Sequence, residues 1–261
     1  TERMTVVILF VFGAIVGSFL NVVGLRWDWN RPGGRFQNFG GRSRCPRCDK
    51  KLQWYELIPI LSFFFLRARC SQCKNRISWQ YPAIEILTGL VFLSIYNLPA
   101  GEAGLQFTIY NKILLLLVFC IFIVITVYDI RHKIIPDSLV YSAILLSVVG
   151  RWLLGGSVLD WLSGPTVFTF FGLIWFLSKG KAMGFGDAKL GLAVGLLLGG
   201  AQGLSAIILA FWLGAVFGII SMIFSHKKIT MKSEVPFAPF IVLGAWISLV
   251  FRLNILHVAS F

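Results

Sequence analysis

Long apolar runs dominate the chain, and they determine its predicted architecture. A run of about 17–25 apolar residues is long enough to cross the hydrocarbon core of a bilayer as a helix. The pattern predicts eight such helices, at residues 4–24, 82–98, 112–128, 138–154, 161–178, 188–202, 204–224 and 236–253. The sixth is short and rich in glycine, so the pattern leaves its far end open. The sequence thus predicts an all-α polytopic membrane protein with about eight transmembrane helices.

Composition agrees with a membrane protein and excludes several other classes. Of the 261 residues, 57% are hydrophobic and 13% are charged, whereas soluble domains average about 45–50% and about 25%. So apolar a chain, with 24 phenylalanines and nine tryptophans, is not disordered, collagen-like or a coiled coil. The first run resembles a secretory signal but has no A-x-A-like cleavage site, so we expect it to remain as a helix of the mature protein.

The placement of the positive charges predicts the orientation in the membrane. A net charge of +13 would suggest nucleic-acid binding in a soluble protein. With eight spans, however, 20 of the 24 lysines and arginines fall on one side of the membrane, twelve of them between residues 25 and 81. Connections rich in Lys and Arg face the cytoplasm. We therefore expect a multi-pass protein with both termini outside, and no nucleic-acid partner.

The connection after the first span contains two Cys-x-x-Cys pairs, which consist of Cys45 with Cys48 and Cys70 with Cys73. Such pairs supply four thiolates to a tetrahedral Zn²⁺ site. Two disulfides are the alternative, but thiols stay reduced on the cytoplasmic side. A site closed by four sulfurs is structural, and metal binding would fold a loop too polar to build a core. The predicted organisation is a first transmembrane helix at 1–24, a cytoplasmic zinc-binding loop at 25–81 and a transmembrane core at 82–261.

An apolar stretch inside this loop, residues 57–66, is too short to span a bilayer, and Pro59 interrupts it. Trp54 and Tyr55 precede the stretch, and both residue types favour the headgroup region of a membrane. The stretch is therefore predicted to be re-entrant or to lie at the interface. The basic side chains around it would then be near anionic membrane lipids.

Two acids at the ends of predicted spans are candidates for chemistry. Asp129 ends the third span and Asp187 begins the sixth, and the alternation of spans places both at the cytoplasmic interface. Ionisable groups at a span border are functional candidates, and two adjacent carboxylates can activate water for attack on a peptide bond. Gly184 and Gly186 would let a substrate approach the backbone before Asp187. The charges alone leave a structural role open, and Asp137 is equally well explained as a helix cap.

Several motifs follow one another along nearly the whole chain. They are GSFLNV at 17–22 with Arg26, the two Cys-x-x-Cys pairs enclosing WYELIPILS at 54–62, YPAIE at 81–85, the block from Asp129 to Asp137, GFGD at 184–187 and PFAP at 236–239. The GFGD pattern alone would be weak, but the ordered set is specific. It resembles the type 4 prepilin peptidases, which are bifunctional leader peptidase/N-methyltransferases of pilus and type II secretion systems.

The resemblance implies an intramembrane aspartyl endopeptidase of the cytoplasmic (inner) membrane, with Asp129 and Asp187 as its catalytic pair. Such an enzyme binds prepilins or pseudopilins at the cytoplasmic face and cuts the leader after its terminal glycine, usually before phenylalanine. Family members often then methylate the new N-terminus with S-adenosylmethionine. The sequence shows no glycine fingerprint of a nucleotide-binding fold, and no motif in it locates a methyl-donor pocket. We expect the methyl donor to bind near the cytoplasmic loop. The residues expected to support the substrate or its loop are Glu85, Asp137, Gly184 and Gly186.

The same residues are also compatible with different roles. Glu85 and Asn21 are polar groups at membrane depth, where hydrogen bonds to neighbouring helices would equally account for them. A proton-coupled transporter would use Asp129 and Asp187 to carry protons, although inverted repeats and helices broken near mid-membrane would be expected there. A non-catalytic scaffold that displays a zinc module is a third possibility. Cleavage of a prepilin distinguishes the peptidase from both.

Overall fold

Helices account for nearly all the regular structure of residues 2–28, 35–36, 42–98, 109–224 and 235–255, which are the residues that the computed structural model describes. The helices are α1 (Glu2–Arg26), α2 (Leu61–Phe65), α3 (Gln80–Tyr96), α4 (Ile109–His132), α5 (Asp137–Leu154), α6 (Val158–Leu177), α7 (Phe185–Leu198), α8 (Gly200–Phe224) and α9 (Ala238–Phe251). Trp54–Leu57 forms a 3₁₀ turn. Two short strands, β1 (Trp27–Asp28) and β2 (Arg35–Phe36), pair in antiparallel orientation.

Each of the eight apolar segments predicted from the sequence overlaps one of the longer helices, so the all-α prediction is confirmed. Within the described residues, α1, α4, α6 and α8 are long and apolar enough to cross a membrane. Helices α3 and α9 are apolar but shorter, with 17 and 14 residues, and α5 and α7 occupy two further predicted spans. The chain is therefore a membrane protein, while the number of eight spans stays a prediction.

The chain divides into two compact units, Thr1–Asn97 and Leu98–Phe261. The first unit contains the predicted first helix and cysteine-rich loop, and it also includes α3, which the predicted organisation assigned to the core. Small residues explain why α3 groups with α1: a Cβ on Gly17 would lie 2.6 Å from the Thr88 hydroxyl oxygen, and one on Gly13 would lie 2.9 Å from the Cα of Gly89. Such close contact between small residues is a common way for helices to associate in a bilayer.

The C-terminal half of α4 is buried inside the second unit. Eight consecutive residues of this helix, 122–129, are buried, so the helix is enclosed on all sides there. Helices α6 and α7 also approach closely, because a Cβ on Gly195 would lie 2.7 Å from the Cα of Gly164. A polar side chain at the end of the enclosed stretch of α4 is therefore held in a fixed protein environment.

The glycine-rich sixth segment ends earlier than its predicted limit at residue 202. Helix α7 ends at Leu198, and α8 begins at Gly200. Between them Gly199 has a φ of 84°, in a region of backbone conformation that favours glycine. A Cβ at this position would also lie 2.5 Å from a carboxylate oxygen of Asp160. Both the backbone conformation and the lack of space therefore require glycine at this break.

Candidate metal centre and aspartate site

The two Cys-x-x-Cys pairs fold into turns of the same geometry. In the first turn, the N–H of Cys45 donates to the carbonyl of Lys50, and the N–H of Asp49 donates to the carbonyl of Cys45, both at 3.0 Å. The equivalent two bonds recur in the second turn, around Cys70. The residue after each second cysteine, Asp49 or Lys74, has a positive φ of 54° or 57°. The two halves of the site are thus copies of one local structure.

The four thiols converge with the spacing that a metal ion requires. The sulfur atoms of Cys45, Cys48, Cys70 and Cys73 all lie within 4.8 Å of one another. Between the two turns, the Sγ atoms of Cys45 and Cys73 are 3.8 Å apart, and those of Cys48 and Cys70 are 3.9 Å apart. Zinc–sulfur bonds of about 2.3 Å in tetrahedral arrangement separate the sulfurs by about 3.8 Å. All four cysteines are free thiols, and the group can hold a metal ion.

The electrostatics of the four sulfurs also favour a cation. Backbone N–H groups of its own turn lower the pKa of Cys70 to about 6, and those of the first turn lower the pKa of Cys45. The N–H of Lys50 acts in the same direction on Cys48, but burial and the neighbouring sulfurs raise the pKa of Cys48 to about 11. Crowded thiols cannot all ionise by themselves, whereas a divalent cation stabilises them all as thiolates.

Glu56 connects the 3₁₀ turn to both cysteine turns. Its buried carboxylate accepts hydrogen bonds from the Lys50 ammonium at 2.9 Å, from the Ser71 hydroxyl and from the N–H of Gln53 at 2.8 Å. Burial alone would raise the pKa of Glu56, but the bonds from Ser71, Gln53 and Lys50 lower it to about 2. Because Lys50 belongs to the first turn and Ser71 to the second, the carboxylate fixes the orientation of the loop around the thiols.

Glu85, which was expected to support the substrate or the loop, bonds directly to the loop. It is buried in α3, where its Oε2 accepts the N–H of Ile60 at 2.7 Å, and it also accepts a hydrogen bond from Ser18 of α1. Ile60 has a φ of 63°, which a β-branched residue rarely adopts. In the same unit, Gln80 of α3 donates to the side-chain oxygen of Asn21 of α1 at 3.4 Å. Both polar groups at membrane depth thus make hydrogen bonds between helices.

Asp129 lies at the end of the enclosed stretch of α4 and contacts the start of α9. Its carboxylate is buried, and Oδ2 accepts the N–H of Ala238 at 3.2 Å. The first N–H groups of a helix have no acceptor within the helix, and Ala238 is the first residue of α9. The PFAP sequence, to which no role was assigned from the sequence, therefore begins a helix whose free N–H orients Asp129.

Asp187 lies in the first turn of α7 and is buried as well. Its Oδ2 accepts the N–H of Gly184 at 3.2 Å, and the charge of Asp129 acts on Asp187. Two residues that are 58 positions apart in the sequence thus form a pair. Each uses one oxygen for a backbone N–H, and among the described residues no hydrogen-bond donor contacts the other oxygen. The oxygen that remains on each carboxylate can hold a proton or bind a water molecule.

The surroundings of the aspartate pair hold the start of α7 in place. A Cβ on Gly186 would lie 2.8 Å from the Cβ of Ile135, so this glycine is needed for contact with the connection after α4. Asp137, the first residue of α5, accepts a hydrogen bond from Lys189 of α7 at 2.7 Å. Gly184 is exposed, and its predicted role in substrate approach stays a prediction, as do the other assigned roles.

A second polar group in the same unit, at the other end of α7, was not recognised from the sequence. Arg151 of α5 is buried and donates to the carbonyls of Leu196 and Leu197 at 2.9 and 3.0 Å. Asp160 of α6 accepts the N–H of Gly200 at 3.0 Å and lies near the charge of Arg151. These two charges satisfy the carbonyls that end α7 and the N–H that begins α8. The only sequence signal was a pair of opposite charges at span ends.

Comparisons with known proteins agree with this architecture. Residues 11–98 match the bacterial peptidase A24 N-terminal domain, and residues 114–219 match the type IV leader peptidase family. The chain is 30% identical to a prepilin leader peptidase/N-methyltransferase of Bacillus subtilis, with 91% of each chain covered. The chain belongs to the type IV leader peptidase family. Family members of the same description in Stutzerimonas stutzeri and Dickeya chrysanthemi are 33% and 30% identical, covering 92% and 97% of this chain and 88% and 94% of theirs.

No solved structure matches the chain. The two family models divide the sequence in the same way as the two compact units, because the N-terminal model ends at residue 98 and the peptidase model begins at residue 114. The cysteine group therefore lies in the N-terminal family domain. Both aspartates lie in the peptidase domain of the family.

Proposed function

We propose that this family member is an intramembrane aspartyl endopeptidase that removes the leader of type IV prepilins or pseudopilins. Cleavage would occur after the leader's terminal glycine, usually before phenylalanine, at the cytoplasmic face of the inner membrane. The observation that carries the proposal is the aspartate pair, in which Asp129 and Asp187 are buried and interact, and each has one oxygen without a donor among the residues that the structure describes. Membership in a peptidase family favours this function over a proton-coupled transporter.

The geometry of the aspartate pair suggests how the reaction proceeds. Because the charge of Asp129 acts on the buried Asp187, the two carboxylates would share one proton, since both cannot ionise cheaply. The ionised member takes a proton from a water molecule held between the free oxygens, and the resulting hydroxide attacks the scissile carbonyl carbon. The protonated member donates to the substrate, so that the leaving amine departs neutral. The N–H groups of Ala238 and Gly184 keep the carboxylates in position throughout.

Three further properties belong to the same proposal. The cysteine group would bind one structural Zn²⁺, since four thiolates close the coordination shell and leave no position for substrate. The loop that carries it would face the cytoplasm, with both termini outside, because most basic residues lie on that side of the predicted spans. The relatives' description as N-methyltransferases suggests that the new N-terminus is then methylated with S-adenosylmethionine as methyl donor.

The aspartate assignment is tested by Asp129→Asn and Asp187→Asn in the full-length protein. Each change keeps the size of the side chain but removes a group that carries the proton, so we expect cleavage of a candidate prepilin to fall by at least about 100-fold. Asp49→Asn is the matched control, because its exposed carboxylate lies outside the peptidase domain, in a surface ion pair with Arg44 worth at most about 1 kcal/mol. Near wild-type cleavage by either the Asp129→Asn or the Asp187→Asn variant, with normal membrane insertion, would disprove the assignment.

Intact-mass measurement of the pilin product, with and without S-adenosylmethionine, reports cleavage and methylation together. Metal analysis of the purified protein tests the zinc site, and we expect one zinc ion per chain. The Cys45→Ser/Cys70→Ser variant should lose it, since both turns then lack a ligand, whereas Cys120→Ser is the matched control outside the group. Wild-type protein that carries no zinc would contradict this part of the proposal.

A further inference from the structure

A short helix in the cysteine-rich loop presents apolar side chains on one exposed face. Leu61, Phe64 and Phe65 are spaced i, i+3 and i+4 in α2, so they point in the same direction. Their exposed fractions are 54%, 58% and 84%. Phe63 points the other way, is 5% exposed and packs against Trp79, with ring centroids 4.8 Å apart. We call Leu61, Phe64 and Phe65 the α2 face.

The anchoring of α2 fixes its depth along α3. The N–H of Ile60, directly before α2, donates to the carboxylate of Glu85 at 2.7 Å. Glu85 lies five residues after the first residue of α3, Gln80, which corresponds to about 7.5 Å along the helix axis. Apolar faces of interfacial helices are buried about 5–10 Å into the boundary between headgroups and acyl chains. If α3 enters the membrane at its N-terminus, the α2 face lies at that boundary.

The charges and aromatic residues near α2 fit the same location. Residues 57–84 contain four basic residues and no acid, and Arg67 and Arg69, which follow α2 directly, are both exposed. Trp54 and Trp79, on either side of α2 in the sequence, are 77% and 67% exposed. Exposed tryptophan at a helix entry is typical of the headgroup layer, and basic side chains there attract anionic lipids.

We propose that the α2 face inserts into the headgroup–acyl boundary and that Arg67 and Arg69 bind the phosphates of anionic lipids. The metal-binding loop is then a membrane-docked module, held by the cysteine group on one side and by Glu85 on the other. This inference goes beyond the peptidase activity and does not depend on it. The apolar helix of a protein substrate is the competing occupant of the face.

Photocrosslinking of the full-length protein tests the occupant directly. Benzoylphenylalanine replaces Phe65 in protein reconstituted into nanodiscs that contain phosphatidylcholine and phosphatidylglycerol, without any substrate. Gln72 is the control position, since it is exposed in the second cysteine turn and lies outside α2. We expect lipid adducts at position 65 and none at position 72. Absence of lipid adducts at position 65 would overturn the proposal. In a parallel sample with added prepilin, crosslinks from position 65 to prepilin in place of lipid would also overturn it.

A second experiment tests whether the contact depends on the negative charge of the lipid headgroup. The measured quantity is the ratio of phosphatidylglycerol adducts to phosphatidylcholine adducts at position 65. In the Arg67→Gln/Arg69→Gln variant this ratio should fall by roughly fivefold per arginine. Arg44→Gln/Lys51→Gln removes the same charge from two exposed residues around the first cysteine turn and should leave the ratio unchanged. Equal effects of the two double variants, with zinc content preserved in both, would reject the role of Arg67 and Arg69.

Discussion

The buried Arg151 at the C-terminal end of α7 allows a quantitative prediction about stability. Arg151 is 3% exposed and donates to two carbonyls at the C-terminus of α7, at Leu196 and Leu197. Arg151→Met keeps the apolar stem but leaves both carbonyls without this donor, and it leaves Asp160 without its neighbouring positive charge. Each buried carbonyl left without a donor costs about 1–3 kcal/mol, so the two carbonyls predict a loss of about 2–6 kcal/mol.

A double-mutant cycle measures this effect. Each variant is unfolded in detergent micelles, and tryptophan fluorescence reports the unfolded fraction. Asp160→Asn keeps an acceptor for the N–H of Gly200 while removing the negative charge, so it should cost less than Arg151→Met. The double variant should be less destabilised than the sum of the singles, with a coupling energy of about 1–3 kcal/mol. Arg252→Met is the control, since Arg252 is exposed after α9, and it should change stability by at most about 0.5 kcal/mol. A cost of Arg151→Met below about 1 kcal/mol, or no coupling, would refute the reasoning.

Two further predictions concern the first unit. The folded pKa of Glu56 lies at about 2, below its ordinary value of 4.5, so its stabilisation is present above about pH 4.5 and is lost as the pH falls towards 2. Thermal unfolding should show a lower melting temperature for Glu56→Gln than for wild type at neutral pH, and this difference should shrink below pH 4.5. A difference in melting temperature that stays constant with pH would contradict this. Gly17→Leu should separate α1 from α3, since a Cβ already lies 2.6 Å from the Thr88 hydroxyl oxygen. We expect reduced accumulation in membranes relative to Ile15→Leu, whose side chain is exposed, and equal accumulation would be evidence against the close contact.

Hydropathy predicted the helices well because burial in lipid and burial in protein both require apolar runs. The position of the break at Gly199 was not predictable in this way, since it depends on the φ of one residue and on Asp160 of a different helix. The cysteine group was predictable because the spacing of each pair is local and needs only one tight turn. The contact between Asp129 and Ala238 spans 109 positions, and only the tertiary structure brings a helix start to that carboxylate.

The number of hydrogen bonds to each carboxylate distinguishes structural acids from candidate catalytic ones. Glu56 and Asp160 each accept three hydrogen bonds from described residues, and Glu85 accepts from a backbone N–H and a serine hydroxyl. Asp129 and Asp187 are as buried as Glu56 and Glu85 but accept only one hydrogen bond each from described residues. Buried carboxylates normally satisfy their acceptor capacity with protein donors or ordered water. Within the part of the chain that the structure describes, each of these two carboxylates therefore has one oxygen available to water or substrate, which is what the proposed peptidase site requires.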